Sequence, residues 1–349
     1  MRGISNSDMT AELLEKISRI CGLGRIISAP QPLTGGYMHK MYSLFTENGR
    51  YAVKLLDPYI MARPTAAENF SKAEKYEHLL EEKGLPIVPA LVFGGKKMQH
   101  TDGRYFYVYE YFDGKSLKDG EITQAHCQKI GSVLADIHSI GRQSEGFIPD
   151  MQDINWDSYI SRLADIDCQL YKLLSDNRGL LYESMEKGNA AKAKLPRDIS
   201  VCHNDMDSKN VLWNGNRFGI IDLECLDLSS PVTEAFELAL CWSGYESCAV
   251  DISLMESFVS AYLSAGGSLG CDAETLYHSN CGRLEWLEYN IRKTLGEECA
   301  EEDRASAAAQ VKETMAHVIY YHDARSDIVN SLENITKGCD SFKQQRTNK

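Results

Sequence analysis

The chain has 349 residues, of which 43% are hydrophobic and 25% are charged, and its formal net charge is −13. This composition is typical of a globular protein with room for two domains, and the acidic balance argues against binding to nucleic acid or to anionic membranes. The 11 cysteines include no Cys-x-x-Cys pair, and no stretch approaches about 20 uninterrupted apolar residues, so we expect reduced thiols in a cytoplasmic protein without a membrane span.

The first third of the chain predicts a small antiparallel sheet with one main helix. Its expected elements are a helix over 9–21, strands over 25–33, 41–45 and 50–56, a helix over 66–83, and strands over 88–93 and 104–112. Asn48-Gly49 joins two of these strands and predicts a hairpin turn, because an Asn-Gly pair readily adopts positive φ. Residues 1–112 therefore form the first predicted domain.

The remainder, residues 116–349, predicts a larger and mostly helical domain. Asp113-Gly114-Lys115-Ser116 interrupts the strand pattern and marks the predicted hinge, which we place at residues 110–115. Helices are expected over 124–141 and 155–187, then three or four within 232–335 including 284–295 and 304–322, with a polar, frayed tail after Ile335. A short hairpin of strands 211–213 and 218–222 lies between the two groups of helices.

The most informative segment runs from His203 to Asn210 and continues into an apolar strand that ends at Asp222. Phosphoryl transfer from ATP needs one carboxylate for the proton of the acceptor hydroxyl, and an amide and a second carboxylate for the magnesium ions. Asp205, Asn210 and Asp222 have the order and spacing that a kinase site uses for these groups. We therefore predict Asp205 as the catalytic residue and Asn210 and Asp222 as Mg²⁺ ligands. The alternative is a turn whose side chains only cap backbone groups.

Lys54 is the predicted phosphate-binding lysine. Strand alternation places Ala52 and Lys54 on one face, where a small residue suits a flat adenine and an ammonium group reaches the phosphates. The alternative is a solvent-exposed lysine on an edge strand. The lysine needs a carboxylate partner, and spacing alone leaves Glu68, Glu74 and Glu77 of the following helix open.

Two backbone segments are further candidates for nucleotide binding. Gly35 and Gly36 join the first two strands and let amides approach phosphate oxygens, although Gly-Gly is also an ordinary hairpin loop. In the segment that leads into the hinge, a carbonyl and an amide can pair with the adenine edge without any side-chain specificity.

At these residues the chain resembles the aminoglycoside phosphotransferase family, which includes choline kinases. The strongest matches are His203 to Asn210, Ile221-Asp222-Leu223-Glu224 and the strand from Tyr51 to Lys54, and the similarity covers roughly residues 20–330. The resemblance implies an α+β, two-lobed protein-kinase-like fold: a small antiparallel-sheet N-lobe that binds ATP, and a larger helical C-lobe with the catalytic loop and the acceptor site.

The resemblance also assigns individual residues. It places the glutamate that pairs with Lys54 at Glu74, and it places the Glu110 carbonyl and the Phe112 amide against adenine. The chain departs from the family pattern at Asn204, where many members have Gly, and at Leu223, where Trp is common.

Two further departures concern charged positions. A downstream Asp of the family is replaced after Pro231 by Glu234 and Glu237. Asp207 occupies the position where protein kinases carry Lys, which favours a small-molecule acceptor over a protein.

These observations predict an O-phosphotransferase that uses ATP (or GTP) and Mg²⁺ and acts, as a monomer or homodimer, on a small, hydroxylated, cationic molecule. An aminoglycoside-type antibiotic is the first candidate acceptor. Ammonium groups would pair with acidic side chains, and the candidates are Asp207, Asp227, Glu246, Glu285 and Glu288. The alternatives are a metabolic kinase for choline, a sugar or an amino-acid derivative, and a nucleotide-binding scaffold without catalysis.

Overall fold

The computed structural model describes residues 6–33, 39–297 and 304–347, and its contacts divide the chain into two compact units. Unit 1 comprises Met1–Lys118 and His203–Asp227, and unit 2 comprises Asp119–Cys202 and Leu228–Lys349. The segment 203–227, which the sequence analysis assigned to the helical C-lobe, is thus grouped by its contacts with the sheet. Among the described residues, no helix is long and apolar enough to cross a membrane.

Unit 1 is built on an antiparallel sheet of five strands. Its elements are α1 Asn6–Ile20, β1 Gln31–Leu33, β2 Lys40–Thr46, β3 Gly49–Leu55, α2 Pro58–Met61, α3 Ala66–Glu82, β4 Gln99–Thr101 and β5 Arg104–Glu110. The strand order is β1-β2-β3-β5-β4. The small antiparallel sheet and its main helix α3 are confirmed. The strand expected over 88–93 is wrong: in the described part of the sheet this segment pairs with β5 at the isolated bridge Ala90↔Tyr109 and is not one of the five strands.

The two faces of this sheet have different partners. Val53 and Val108 pack with Leu14 and Ile17 of α1 on one face. On the other face, Tyr107 packs with Phe70 of α3. Side chains alternate along a strand, and the register pairs Lys54 with Tyr107 and Ala52 with Tyr109. Ala52 and Lys54 therefore lie on the face that carries α3.

A separate two-stranded hairpin also belongs to unit 1. β7 (Val211–Asn214) and β8 (Arg217–Ile220) pair antiparallel, with Val211 opposite Ile220. Gly215 in the turn has φ 57°, a left-handed conformation that glycine adopts without a steric cost. The predicted hairpin is confirmed, but β8 ends at Ile220, so that Asp222 lies in the loop after the strand.

Unit 2 is mostly helical, as expected. Its helices are α4 Gln124–His138, α5 Trp156–Leu163, α6 Cys168–Asp176, α7 Arg178–Lys192, α8 Pro231–Cys241, α9 Ile252–Ser264, α10 Ala273–Ser279, α11 Gly282–Thr294, α12 Arg304–Asp323 and α13 Arg325–Thr347. A small sheet pairs β6 (Ser200–Cys202) with β9 (Asp227–Ser229).

Two helix predictions in unit 2 are wrong. The helix expected over 155–187 is interrupted, and α6 starts where the Asp167 side chain accepts hydrogen bonds from the amides of Gln169 and Leu170. Such a side-chain cap competes with continued helix and favours a new helix start. The tail expected to fray after Ile335 instead belongs to α13, which continues to Thr347.

His138, the last residue of α4, is a buried structural residue. Its Nε2 lies 2.7 Å from Glu234 Oε2, and its Nδ1 lies 2.9 Å from the hydroxyl oxygen of Tyr262. His138 is 4% exposed and Glu234 5% exposed. Glu234 thus contributes a carboxylate after Pro231, where the family pattern has Asp, and His138 is packed between Glu234 and Tyr262.

The crossing of α4 and α9 depends on a glycine. A Cβ atom added at Gly131 would lie 2.4 Å from the backbone oxygen of Phe258. Leu134 beside it and Phe258 opposite are fully buried, so neither helix can move without disturbing the core.

Replacing Gly131 by alanine is therefore expected to destabilise the protein by about 2 kcal/mol, because overpacking forces the backbones apart. Gly179 in α7 is the matched control, since a Cβ there would meet nothing within 4 Å. The Gly179→Ala variant is expected to be neutral or stabilised by up to about 1 kcal/mol. Urea unfolding of both variants measures the difference, and equal stabilities would contradict the close helix contact.

Candidate active site

The loop that carries the predicted catalytic groups has an unusual backbone. Asn204 and Asp222 both adopt positive φ, 62° and 64°. Residues other than glycine rarely occupy this region, and Asn and Asp tolerate it best. The Asn204 side chain also donates a hydrogen bond of 2.8 Å to the carbonyl of Cys225. Asn at position 204 therefore meets the same conformational demand as the Gly of many family members.

His203 holds this loop in place. Its side chain is fully buried, its Nδ1 accepts a hydrogen bond of 3.3 Å from the Asp205 amide, and its Nε2 lies 3.2 Å from the Ile221 carbonyl. Because Nδ1 accepts, Nε2 is the protonated nitrogen and donates to the carbonyl. His203 therefore joins the segment of Asp205 to the segment of Asp222 without facing a substrate.

Two neighbours orient the Asp205 carboxylate. Asn210 Nδ2 donates to Asp205 Oδ2 at 2.8 Å, and Lys209 Nζ donates to Asp205 Oδ1 at 3.1 Å. The Asp205 side chain is 36% exposed. It is thus fixed in direction and accessible to solvent, as a group that accepts a proton from a bound molecule has to be.

Asn210 and Asp222 fit the requirements of a magnesium site. Asn210 uses its amide nitrogen for the Asp205 backbone oxygen and carboxylate, both at 2.8 Å, which leaves its Oδ1 as the other polar atom of the side chain. Its backbone oxygen accepts a bond of 2.9 Å from the Ile221 amide, next to Asp222. An amide oxygen and a carboxylate are hard oxygen donors of the kind that Mg²⁺ prefers.

Lys54 is buried and is held by carboxylates other than the expected one. Its Nζ lies 2.5 Å from Asp222 Oδ1 and also contacts Glu224 Oε2. Burial alone would lower the pKa of Lys54, but the two carboxylates outweigh it and the pKa is raised. Lys54 thus lies beside Asp222, and its role in binding phosphate stays a prediction.

The expectation that Glu74 holds Lys54 requires a correction. Glu74 Oε1 instead accepts hydrogen bonds from the Tyr107 hydroxyl at 2.8 Å and from the Met98 amide at 3.0 Å. Tyr107 is the cross-strand partner of Lys54, and its hydroxyl occupies the carboxylate of Glu74. Glu77, another open candidate, pairs with Lys97 at 2.9 Å.

Glu224 and His39 are site residues that the sequence analysis missed. His39 Nδ1 accepts a hydrogen bond from the Asp57 amide at 3.0 Å, so its Nε2 donates to Glu224 Oε1 at 3.1 Å. Burial would raise the pKa of Glu224, but His39 and Lys54 outweigh burial and the pKa is lowered. A sequence signal existed for Glu224, because it stands two residues after Asp222 in the matched motif.

Lys209 was also missed. Asp207 accepts from the Lys209 amide at 2.9 Å and from Lys209 Nζ at 2.6 Å, and thereby steers the ammonium group towards Asp205. Asp207 stands where protein kinases carry a lysine, and Lys209, four residues after Asp205, supplies a cation at the Asp205 carboxylate.

We expect the Lys209→Met variant to lose roughly tenfold to a hundredfold in kcat, because Asp205 loses one of its two orienting contacts. The Lys209 side chain is 58% exposed, so folding is expected to be unaffected. The Lys209→Arg variant keeps the charge and is the control, with most of the activity retained. Steady-state rates at saturating nucleotide measure both variants, and an unchanged kcat in Lys209→Met would contradict the positioning role.

The five candidate acceptor residues are divided between the two units. Within unit 1, Asp207 caps the turn before Asn210, and Asp227 forms an exposed ion pair of 2.7 Å with Lys72. Within unit 2, Glu246 is paired with Arg283.

The remaining two candidates, Glu285 and Glu288, are one helical turn apart on α11. Glu285 Oε1 accepts from Gln152 Nε2 at 2.9 Å, and Glu288 Oε1 accepts from the Tyr159 hydroxyl at 2.7 Å. Glu285 is 52% exposed and lies 3.5 Å from Lys192. Each carboxylate thus accepts from a neutral donor of unit 2, and Glu285 has Lys192 as an additional, cationic neighbour.

The remaining nucleotide-binding predictions concern backbone positions. Gly35 and Gly36 lie outside the described residues. Glu110 ends β5 opposite Tyr51, and Ala52 lies opposite Tyr109. Their proposed contacts with adenine, and that of the Phe112 amide, stay predictions.

Comparison with known proteins identifies sequence relatives. The model of the phosphotransferase enzyme family matches residues 30–270. The chain is 26% identical over 199 residues to homoserine kinase of Methylobacillus glycogenes, and the match spans 56% of this chain but only 58% of that relative's length. It is 22% identical over 242 residues to homoserine kinase of Polaromonas naphthalenivorans (strain CJ2), with 65% and 70% covered.

Solved structures share the fold. Spectinomycin phosphotransferase in complex with ADP and spectinomycin superposes with a TM-score of 0.64 at 16% identity, covering 89% of this chain and 98% of that one. Amicoumacin kinase gives 0.58 at 12% identity, with 90% and 95% covered. Plasmodium vivax ethanolamine kinase gives 0.53 at 15% identity, with 86% and 83% covered.

These matches confirm the resemblance and the α+β, two-lobed, protein-kinase-like fold. The family match covers more than half of the chain and includes Lys54, Asp205, Asn210 and Asp222. The chain therefore belongs to the phosphotransferase enzyme family.

Proposed function

We propose that the protein transfers the γ-phosphoryl group of ATP to a hydroxyl of a small, amine-bearing molecule, with Mg²⁺ as the metal. The observation that supports this proposal best is the convergence in unit 1 of the carboxylate of Asp205, the amide of Asn210, the carboxylate of Asp222 and the ammonium of Lys54. A kinase requires these four groups and little other protein chemistry.

Each of these side chains has a distinct role in the proposal. Asp205 orients the acceptor hydroxyl and takes its proton late in the transfer. Asn210 and Asp222 hold Mg²⁺, which when bound neutralises charge on the phosphate oxygens. Lys54 provides a permanent positive charge for the phosphates, because its raised pKa keeps it protonated at neutral pH.

The nucleotide is proposed to bind through residues 1–112, and the acceptor through residues 116–349. Ala52 offers the flat contact for adenine, the Glu110 carbonyl and the Phe112 amide offer its hydrogen bonds, and Gly35 and Gly36 offer amides to the phosphates. Since the hinge contacts are backbone groups, either ATP or GTP is compatible with them. We also propose that the protein is cytoplasmic and that it acts as a monomer or a homodimer.

The acceptor class follows from the acidic side chains and the sequence relatives. Glu285 and Glu288 present carboxylates on one face of α11, which suits an ammonium group. The sequence relatives are homoserine kinases. We therefore propose an amino-acid alcohol as the first acceptor to test. An aminoglycoside-type antibiotic is the second, because the structure with the highest TM-score cited above is that of a spectinomycin phosphotransferase.

A coupled assay of ADP release tests the acceptor. The panel consists of L-homoserine, choline, ethanolamine, spectinomycin and kanamycin, each with ATP and with or without Mg²⁺. The proposal predicts that L-homoserine raises ADP release well above the rate without acceptor, and that the increase requires Mg²⁺. Stimulation by spectinomycin or kanamycin alone would replace the amino-acid alcohol by an antibiotic. ADP release that no hydroxylated amine stimulates would contradict the proposal.

The Glu285→Gln variant is expected to raise KM for an amine-bearing acceptor by roughly tenfold and to leave kcat nearly unchanged. The substitution removes one charge-assisted contact, and this contact stabilises the bound acceptor and the transition state equally. Glu333→Gln on α13 is the matched control, since Glu333 forms an exposed pair with Lys337. Initial rates over a range of acceptor concentrations measure the effect. An unchanged KM in Glu285→Gln would remove this residue from the acceptor site.

A further inference from the structure

A cavity in unit 1 lies beside the hinge segment and has a volume of about 550 Å³. Its apolar part is formed by Ile87, Val88, Leu91 and Phe112, and its polar rim includes Glu110 and Arg217. This volume falls in the usual range for small-molecule sites.

The cavity is on the other side of the sheet from the phosphate-binding lysine. Glu110 alternates with Tyr109 along β5 and is paired with Tyr51, which packs with the cluster of Val53 and Val108. Leu91 packs against the same cluster. Because side chains alternate between the faces of a strand, the Glu110 side chain points away from the face of Ala52 and Lys54.

The shape of the cavity is determined by two glycines under the Phe112 ring. A Cβ at Gly219 would lie 2.7 Å from Val88 Cγ2 and 3.0 Å from Phe112 Cδ2. A Cβ at Gly114 would lie 2.6 Å from Phe112 Cε1. The ring is therefore seated closely against backbone, and the apolar wall is formed before any ligand binds.

The rim of the cavity carries three charged side chains, Glu110, Asp113 and Arg217. Within the described ranges, neither Glu110 nor Arg217 is joined to an oppositely charged side chain, whereas Asp113 on the same rim lies 3.8 Å from Arg50. Arg217 is positioned over the Phe112 ring, with 6.0 Å between its guanidinium carbon and the ring centroid. An apolar wall with a carboxylate and a guanidinium above it is complementary to a zwitterion with an apolar body.

We propose that this cavity binds an α-amino acid with a branched aliphatic side chain. The Glu110 carboxylate binds the ammonium group of the amino acid, and the planar guanidinium of Arg217 donates two hydrogen bonds to its carboxylate. Val88, Leu91 and Phe112 contact the aliphatic side chain of the amino acid. The site is separate from the catalytic groups, and this inference does not rest on the proposed function.

Calorimetric titration of the full chain with L-leucine tests the site. We expect saturable binding with Kd below about 1 mM, and at least roughly tenfold weaker binding of 3-methylbutylamine and 4-methylpentanoate, which each keep one of the two charges. The Glu110→Gln and Arg217→Gln variants are each expected to bind L-leucine at least roughly tenfold more weakly. The Arg104→Gln variant, at the exposed start of β5, is the matched control with unchanged affinity.

Both test variants change exposed side chains, and equal melting temperatures would verify that they are folded. The proposal is overturned if L-leucine at about 10 mM gives no saturable heat. It is also overturned if the single-charge analogues bind as tightly as L-leucine, or if both variants keep the affinity of the unmodified chain.

Discussion

Replacing Asp205 by asparagine is expected to lower kcat by roughly 10³-fold, or about 4 kcal/mol in barrier height. The amide has nearly the shape of the carboxylate but cannot accept the proton of the acceptor hydroxyl. Nucleotide affinity should remain nearly unchanged, because Lys54, Asn210 and Asp222 hold the phosphates and the metal in the proposal. Single-turnover rates and a calorimetric titration with ATP measure the two quantities separately.

The Asp157→Asn variant is the matched control for this substitution. Asp157 forms an exposed ion pair with Arg178 in unit 2 and is expected to tolerate the same change with normal kcat. Loss of ATP binding in Asp205→Asn would point to a structural role, and a normal kcat would remove Asp205 from the mechanism.

The Glu224→Gln variant is expected to lose roughly a hundredfold in kcat/KM for ATP, whereas Glu74→Gln should lose less than tenfold. Glu224 accepts from both His39 and Lys54, so its neutralisation leaves a buried ammonium group with Asp222 as its remaining carboxylate partner. Glu74 contacts Tyr107 and Met98, and its loss does not touch the lysine. Steady-state rates over a range of ATP concentrations compare the two variants.

This pair of variants distinguishes the observed lysine partner from the expected one. Both substitutions are Glu to Gln and change the same atoms, which makes each the control for the other. A larger loss in Glu74→Gln than in Glu224→Gln would contradict the arrangement around Lys54 and would restore Glu74 as its functional partner. Lys54→Met should reproduce the loss of Glu224→Gln or exceed it.

The parts of the site that were predictable are those that a short segment determines. Asp205 and Asn210 are five residues apart, and the hairpin β7–β8 returns the chain to Asp222 through a turn with a clear sequence signal. Strand alternation is equally local and placed Ala52 and Lys54 on one face. Local spacing and hydrogen bonding thus suffice to bring these groups together.

The lysine partner was not predictable in the same way, because it depends on how distant segments pack. Glu74 and Glu224 both lie in segments that match the family. Their partners differ in the folded chain, because the Glu74 carboxylate accepts from the Tyr107 hydroxyl whereas Glu224 contacts Lys54. His39 gives no sequence signal, since its role depends on its contact with Glu224, which is distant in the sequence.

The helix expected over 155–187 is interrupted at the side-chain cap of Asp167. This cap is a weaker sequence signal than the apolar periodicity, which continues across residue 167.

We propose that the groups around Asp205, Asn210 and Asp222 carry out magnesium-dependent transfer of a phosphoryl group to a hydroxyl. Phosphorus NMR of the protein with ATP, Mg²⁺ and L-homoserine or another acceptor that stimulates ADP release measures this transfer directly. We expect the γ-phosphorus signal of ATP to be replaced by that of a phosphomonoester, and chelation of Mg²⁺ to prevent the change. A γ-phosphorus that appears only as inorganic phosphate, or that remains in ATP with every acceptor tested, would rule out phosphoryl transfer to a hydroxyl by these groups.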